Sequence, residues 1–145
     1  MLATSLMTPV FLQVLLIFLV VLWMGIKRRQ SLYASRTPVN NRELALGEHK
    51  WSDAATQAAN NFKNQFEMPV LFLLGVAFAL ILRKTDYVLV ALAWLFVLSR
   101  YVHAAIHLGS NDVRVRAPIY MVGVVALFAF WVMLFLRVNT DGALQ

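Results

Sequence analysis

The sequence predicts an all-α integral membrane protein, a bundle of four transmembrane helices that forms one domain over residues 1–145. One observation is composition: 61% of the residues are hydrophobic and 14% are charged, whereas a soluble domain has about 45–50% apolar and about 25% charged residues. The other is distribution, because the apolar residues fall into four long runs separated by polar loops. Cysteine is absent, which excludes disulfides and cysteine-based metal or redox sites.

The first span is clear in the sequence, whereas the second span is apolar only in part. The first, at about 7–29, has Gln13 as its only strongly polar interior residue and ends in a basic cluster. The second is apolar only in its C-terminal half, which is shorter than the about 20 residues that a bilayer requires. Its helix must therefore include the polar stretch before the apolar run. We predict a span at about 54–82, with Ser52 or Asp53 as the N-cap.

The third and fourth spans complete the predicted bundle. The third is predicted at 87–108 and continues past Arg100, a charge within an otherwise apolar helix. The fourth is predicted at about 117–137, with Pro118 in its first turn, where a missing backbone N–H is tolerated.

The formal net charge of +6 comes from basic residues that lie mostly at the ends of the apolar runs. This placement favours anchoring at a membrane surface or attraction of an anionic ligand, and it argues against nucleic-acid binding. The first and third loops carry Lys27, Arg28, Arg29, Arg36, Arg42, Lys50, Arg114 and Arg116, and the opposite side carries Arg83, Lys84 and Arg137. The positive-inside rule therefore places both loops in the cytoplasm and both termini on the other side. The compact length indicates a bacterial inner membrane.

A polar stripe precedes the apolar run of the second span. Asn60, Asn64 and Glu67 are spaced i, i+4 and i+7 and share one face of a helix, with Lys63 beside them. We predict that this face contacts protein rather than lipid, and that Pro69 kinks the helix just beyond it. Such a kink could open a groove beside Glu67.

The third span carries a second stripe, Arg100, His103 and His107, spaced i, i+3 and i+7. An ionisable group in a membrane helix costs about 2.5–3.5 kcal/mol and usually faces protein or a wet cavity. Glu67 and Arg100 are therefore predicted partners across a helix interface. The two histidines have metal-ligand spacing, but the nearest third candidate, His49, lies in a loop, so no metal site is predicted. The plainer alternative is that both stripes only hold helices together.

The stretch "NQFEMPVLF", which opens the second span, resembles the MAPEG superfamily (membrane-associated proteins in eicosanoid and glutathione metabolism). Asn64, Glu67, Pro69 and Phe72 fit the family's pattern of asparagine, glutamate, proline and phenylalanine. The third span, "RYVHAAIH", is similar to the microsomal glutathione transferase pattern of arginine and then histidine. His107 stands where that branch has a tyrosine. The stretch "NDVRVRAPIYMVG" resembles the family's basic entry to the fourth span, so the resemblance covers nearly the whole chain.

The resemblance implies a homotrimer in the lipid membrane that binds glutathione between subunits, near the cytoplasmic ends of the second and third helices. The bound thiolate would attack a lipophilic electrophile or a hydroperoxide. Glu67 would receive the amino group of glutathione, and Arg114 or Arg116 would stabilise the thiolate. The residues implied in glutathione binding are Asn60, Lys63, Asn64, Glu67, Arg100, His103 and His107.

The chain departs from the enzymatic members at three positions on the second helix. Ala59 and Asn60 stand where those members have arginines, and Phe62 stands where they have a histidine. Two other functions therefore stay open. One is a non-catalytic membrane module that binds a lipid-like ligand or a partner protein. The other is a structural bundle in which the polar stripes only fix the assembly.

Overall fold

The structure, a computed structural model, describes residues 2–35 and 40–142, so Arg36 of the first loop lies outside the described residues. Over those residues the chain is helical and has no strand. The helices in chain order are α1 (Leu2–Ala34), α2 (Asn41–Leu46), α3 (Asp53–Asn64), α4 (Met68–Ile81), α5 (Tyr87–Leu108) and α6 (Val113–Gly142). Four units are long and apolar enough to cross a membrane, namely α1, α3 with α4, α5, and α6. The predicted all-α fold with four apolar spans is confirmed, but the helix of the fourth span begins at Val113, so Pro118 lies inside it rather than in its first turn.

Short polar caps fix where several helices begin. The Ser52 side chain accepts a hydrogen bond from the backbone N–H of Ala55 and caps α3. Asp86 caps α5 by accepting from the backbone N–H of Leu89 at 2.9 Å. Each cap satisfies one of the N–H groups that a helix N-terminus leaves without a partner. Ser52, rather than Asp53, is thus the N-cap of the second span.

The second span is interrupted where the sequence predicts a kink at Pro69. Helix α3 ends at Asn64 and α4 begins at Met68, with Pro69 in the first turn of α4. Proline lacks a backbone N–H and clashes with the carbonyl four residues earlier, here that of Gln65, so the helix stops before it. The prediction of one kinked helix is therefore corrected to two helices with a break between them. Glu67 lies in that break, outside either helix.

Apolar side chains fill the half of the bundle that contains the C-terminus of α4 and the N-terminus of α5. Phe72 of α4 stacks on Phe96 of α5 at a centroid distance of 4.7 Å. Phe130 of α6 meets Phe72 edge-on at 6.5 Å. Gly75 lets α4 approach α6 closely, because a Cβ atom there would lie 3.1 Å from the Phe130 ring. Three helices thus share one aromatic core.

Helix α5 lies at the centre of the fold, because it packs against α6, α1 and α3. Its contact with α6 is close at Gly123, where an added Cβ atom would lie 2.5 Å from Ser99 Oγ. Its contact with α1 includes a hydrogen bond from the Tyr101 hydroxyl to the carbonyl of Leu12, 2.8 Å long. Large apolar side chains such as Phe11 and Phe128 are exposed on the outside, as expected for a surface that faces lipid.

Candidate functional site

Three amides form a buried chain of hydrogen bonds at the level of the helix break. Gln13 Nε2 on α1 donates to Gln65 Oε1 at 3.1 Å. Gln65 Nε2 in turn donates to Asn61 Oδ1 at 3.0 Å, and Asn61 Nδ2 donates to the carbonyl of Ala104 on α5 at 3.1 Å. All three amide side chains are fully buried. The chain therefore ties α1, α3 and α5 together and fixes the position of the break.

Arg100 lies deep in the same half of the bundle and is 2% exposed. Its Nη2 donates to the carbonyl of Asn64 at 3.1 Å, at the end of α3. Its guanidinium carbon lies 5.5 Å from the centre of the Tyr120 ring, a cation–π distance. The predicted ion pair with Glu67 does not form among the described residues. Because α3 ends at Asn64, the carbonyl of Asn64 has no helical partner and accepts the hydrogen bond from the guanidinium. Glu67 acts on Arg100 only at longer range.

The two histidines of α5 are buried beside Arg100. Their ring centres lie 5.7 Å apart, and the His103 ring lies 5.4 Å from that of Tyr120. Asn64 Nδ2 lies 3.5 Å from His107 Nδ1. Neither ring nitrogen of His103 has a side-chain hydrogen-bond partner within the described part of the chain, although the backbone of Arg116 is close. His103 therefore keeps hydrogen-bonding capacity at the edge of an open space.

That open space is a cavity of about 260 Å³ between the helix break, α5 and the start of α6. Arg116 lies on its wall, and its Nη1 donates to Asn111 Oδ1 in the preceding loop. Glu67 is exposed at the mouth, while Asn64 is half-buried. The residues that line the cavity are Asn64, Glu67, His103, Val113, Arg116, Ala117, Tyr120 and Met121. We call this space the polar cavity.

The structure brings together some of the predicted site residues and separates others. Asn64, Glu67, His103 and Arg116 line the polar cavity, and Arg100 and His107 contact Asn64 behind it. The remaining three, Asn60, Lys63 and Arg114, are exposed and do not line this cavity. On the single chain, the stripe predicted to face protein thus contributes Asn64 and Glu67 to the polar cavity but not Asn60.

Tyr120, Asn61 and Gln65 were not predicted from the sequence as site residues. Tyr120 lies one turn beyond Arg116, so i, i+4 spacing on α6 could have placed both on one face. Asn61 and Gln65 are also spaced i, i+4, and Gln13 was already visible as a polar residue inside an apolar span. An amide side chain in a membrane helix needs a hydrogen-bond partner within the protein. That need is the signal that links Gln13, Asn61 and Gln65.

The polar cavity offers one carboxylate, one guanidinium, an amide, an imidazole and a phenol. Such a set can bind a small zwitterionic molecule, because the guanidinium attracts carboxylates or a thiolate and the carboxylate attracts an amino group. Among the described residues no group of three His, Cys, Asp or Glu side chains could hold a metal ion.

Comparison with known proteins gives one match. A family model described as the MAPEG family matches residues 6–136, which include the four spans' central parts and every residue that lines the polar cavity. No curated protein and no solved structure matches the chain.

Proposed function

Because the chain belongs to the MAPEG family, we propose that it is a glutathione-dependent transferase or peroxidase that acts on lipophilic electrophiles or hydroperoxides in the membrane. The family includes glutathione transferases and members with other functions, so the choice between these functions depends on the site. The polar cavity favours the transferase or peroxidase, since it joins Glu67, Arg116 and His103 at the end of an apolar bundle.

Glutathione has two carboxylates, one amino group and a thiol, and the polar cavity offers a carboxylate for the amino group and one guanidinium for an anionic group. Glu67 is exposed at the mouth and receives the amino group, while Asn64 bonds the peptide. Arg100 already donates to the Asn64 carbonyl, so it holds this residue rather than competing for ligand. Arg100 and His107 are therefore positioning residues in this proposal, and His103 contacts the ligand.

Arg116 is the better of the two candidates for stabilising the thiolate. It lines the polar cavity, and Asn111 orients its guanidinium. Arg114 is exposed, and its backbone N–H donates to Asp112 Oδ1 at 2.9 Å. A guanidinium beside a thiol favours the thiolate by Coulomb attraction and lowers the pKa of the thiol.

The reaction then follows from the thiolate. The glutathione thiol loses its proton to water, and the sulfur attacks an electrophilic carbon as the leaving group departs with its electron pair. The products are a thioether, the leaving anion and a proton. With a hydroperoxide, sulfur attacks the terminal oxygen and releases the alcohol, and a second glutathione reduces the sulfenic acid to a disulfide and water.

We further propose a homotrimer, with the site completed between subunits. Asn60 and Lys63 support this arrangement, because they are exposed on α3 close to the break and do not line the polar cavity of their own chain. Their exposure offers an amide and a cation to a second carboxylate. The basic residues at this end of the bundle support our proposal that it lies on the cytoplasmic side of a bacterial inner membrane.

The test compares Arg116→Ala with Arg114→Ala in purified protein mixed with glutathione and chlorodinitrobenzene. The two variants lose the same charge in the first turns of α6, so Arg114→Ala is the matched control. We expect Arg116→Ala to lower kcat/KM about 100-fold and Arg114→Ala to leave it unchanged. Equal losses, or a wild-type protein with neither conjugation nor a glutathione-induced thermal shift, would contradict the proposal.

A second candidate function is that of a non-catalytic module that binds an amphiphile. An apolar groove of about 550 Å³ between α5 and α6 favours it, because Met121 lines both this groove and the polar cavity. The groove is lined by Leu92, Leu95, Pro118, Met121, Val122, Val125, Ala126 and Ala129. This function predicts an amphiphile-induced thermal shift without conjugation, and Arg116→Ala would leave that shift unchanged.

A further inference from the structure

An apolar groove of about 290 Å³ lies on the outer surface between α1 and α5. The buried side chains of Leu16, Val20 and Ala104 form its floor. Trp23, which is 41% exposed, forms a wall at one end. Because α5 presents the small side chains of Ala104 and Ala105 here, the two helices leave room between them for a chain-like ligand. We call this space the α1–α5 groove.

Lys27 lies at the end of the α1–α5 groove, one turn beyond Trp23. Leu16, Val20 and Trp23 are spaced i, i+4 and i+7, and Lys27 follows at i+11 on the same face of α1. The Lys27 ammonium lies 4.8 Å from the centre of the Trp23 ring, a cation–π distance. Tryptophan and lysine at a span end are common interfacial anchors, but this pair also borders an open groove. A ligand that lies in the groove therefore meets a cation at its end.

The three cations at the end of α1, Lys27, Arg28 and Arg29, form no ion pair with a carboxylate among residues 2–35 and 40–142. Lys27 Nζ donates to the Gln30 amide oxygen at 3.2 Å, and the Arg28 guanidinium lies 5.0 Å from the centre of the Trp51 ring. Residues 36–39, which follow shortly after α1 in the sequence, include an arginine and no acidic residue. The end of α1 therefore carries an excess of positive charge, and an anion is its complementary ligand.

The α1–α5 groove itself suits a hydrocarbon chain. Tyr101 lines it, but the Tyr101 hydroxyl is already engaged, because it donates to the carbonyl of Leu12 at 2.8 Å. Apart from Tyr101 and Trp23, the lining side chains are aliphatic. A polar solute would find few hydrogen-bond partners there, and burial of an unpaired polar group costs free energy. The groove and the cations beside it thus match the two parts of one amphipathic anion.

From this juxtaposition we propose that the protein binds an anionic phospholipid, with the phosphate at Lys27 and an acyl chain in the α1–α5 groove. The Lys27 ammonium receives the phosphate, and Arg28 and Arg29 add to the positive field around it. A soluble phosphate fills only the charged part, and a zwitterionic lipid brings a cation toward these cations. The two parts together therefore select an anionic lipid. The α1–α5 groove and the polar cavity share no lining residue, so this site is independent of glutathione.

The experiment follows thermal unfolding of the full chain in a nonionic detergent. Phosphatidylglycerol, phosphatidylcholine with the same acyl chains, and glycerol 3-phosphate are titrated separately, and we expect only phosphatidylglycerol to raise Tm. In Lys27→Gln, the mole fraction of phosphatidylglycerol that gives half of the maximal shift should rise about fivefold, the weight of one basic residue at an anionic surface. Arg42→Gln is the matched control, because it removes an exposed cation from α2, in the loop that follows α1. It should leave the titration unchanged.

A second pair of variants tests the groove. Ala105→Leu places a larger side chain in the α1–α5 groove without altering the core, because Ala105 is exposed. It should raise the same half-maximal mole fraction. Ala91→Leu is its matched control, since Ala91 is exposed on the same helix and does not line this groove. It should titrate like the wild type. Light scattering measures the oligomeric state of both variants.

The proposal is overturned if Lys27→Gln or Ala105→Leu titrates like the wild type, or if either control weakens the effect as much as the variant it is matched to. An equal shift with phosphatidylcholine overturns the selection for an anionic headgroup. An equal shift with glycerol 3-phosphate overturns the assignment to a lipid. A changed oligomeric state in Ala105→Leu alone assigns the groove to a contact between copies of the chain and also overturns the proposal.

Discussion

Helix α5 passes through two regions that are packed in different ways. In its N-terminal half, Phe96 stacks on Phe72 and the surrounding residues are apolar. Near its C-terminus, Arg100, His103 and His107 are also buried, but beside amides, a tyrosine and an open cavity. The same helix thus serves as core at one end and as a wall of the candidate site at the other.

The two regions differ in the kind of buried group that has no hydrogen-bond partner among the described residues: the Trp131 indole N–H in the aromatic region, and ionisable side chains in the polar region. In the aromatic region, rings and small residues from three helices fill the space. In the polar region, the His103 nitrogens and Arg100 Nε have no side-chain partner among the described residues, and Glu67 stays exposed. Unpaired polar groups in a membrane are costly and are usually functional. Stability should therefore depend on the first region and ligand binding on the second.

Phe72→Ala should have the largest effect on stability. It removes a fully buried ring from the junction of α4, α5 and α6, and a cavity of this kind costs about 3 kcal/mol. Unfolding in mixed micelles of increasing denaturing detergent measures the loss. Phe128→Ala is the control, since Phe128 is 70% exposed, and it should change stability little. If both variants lose equally, the aromatic region is not the source of stability.

Gln65→Leu should have an intermediate effect on stability. It leaves the Gln13 and Asn61 side chains without one hydrogen bond each, and such a loss between membrane helices costs about 1 kcal/mol. The double variant Gln13→Leu with Gln65→Leu should lose less than the sum of the single variants, because the two residues interact directly. Unfolding in mixed micelles measures both, and strict additivity would show that the amide chain carries no coupling.

The fold could be predicted from the sequence because its signals are strong and local. Four apolar runs bounded by charges specify four helices in a membrane. The break before Pro69 was only partly predictable. The proline indicates a disturbance, but the choice between a kink and two separate helices depends on where the buried amides bond. Gln65 and Asn61 form hydrogen bonds to α1 and α5. These helices are distant in sequence, so the local sequence pattern does not reveal the contacts.

The candidate site was predictable residue by residue to a limited degree. Asn64, Glu67 and His103 lie on two stripes that helical spacing already defines, and they line the polar cavity. The expected pairing of Glu67 with Arg100 failed because the helix ends at Asn64 and exposes a carbonyl that binds the guanidinium. Tyr120 and Arg116 come from another helix, and their place in the cavity depends on the close packing of α6 against α5, which occurs at Gly123.

Glu67→Gln should have the smallest effect on stability and a clear effect on binding. The side chain is exposed in the helix break and lies in no ion pair within the described residues, so the free energy of unfolding should change by less than about 0.5 kcal/mol. In the proposed site the carboxylate receives the amino group of glutathione, and loss of that charge should weaken binding about tenfold. Isothermal titration in detergent measures the affinity.

Glu48→Gln is the matched control, because Glu48 is an exposed carboxylate outside the helices and does not line the polar cavity. It should leave both affinity and stability unchanged. Light scattering of the purified Glu67→Gln protein measures its oligomeric state, which separates a role in binding from a role in assembly. A changed oligomeric state with unchanged glutathione affinity would assign Glu67 to assembly, and the polar region would then serve structure as the aromatic region does. Weaker affinity in an intact oligomer would keep the two regions distinct in function.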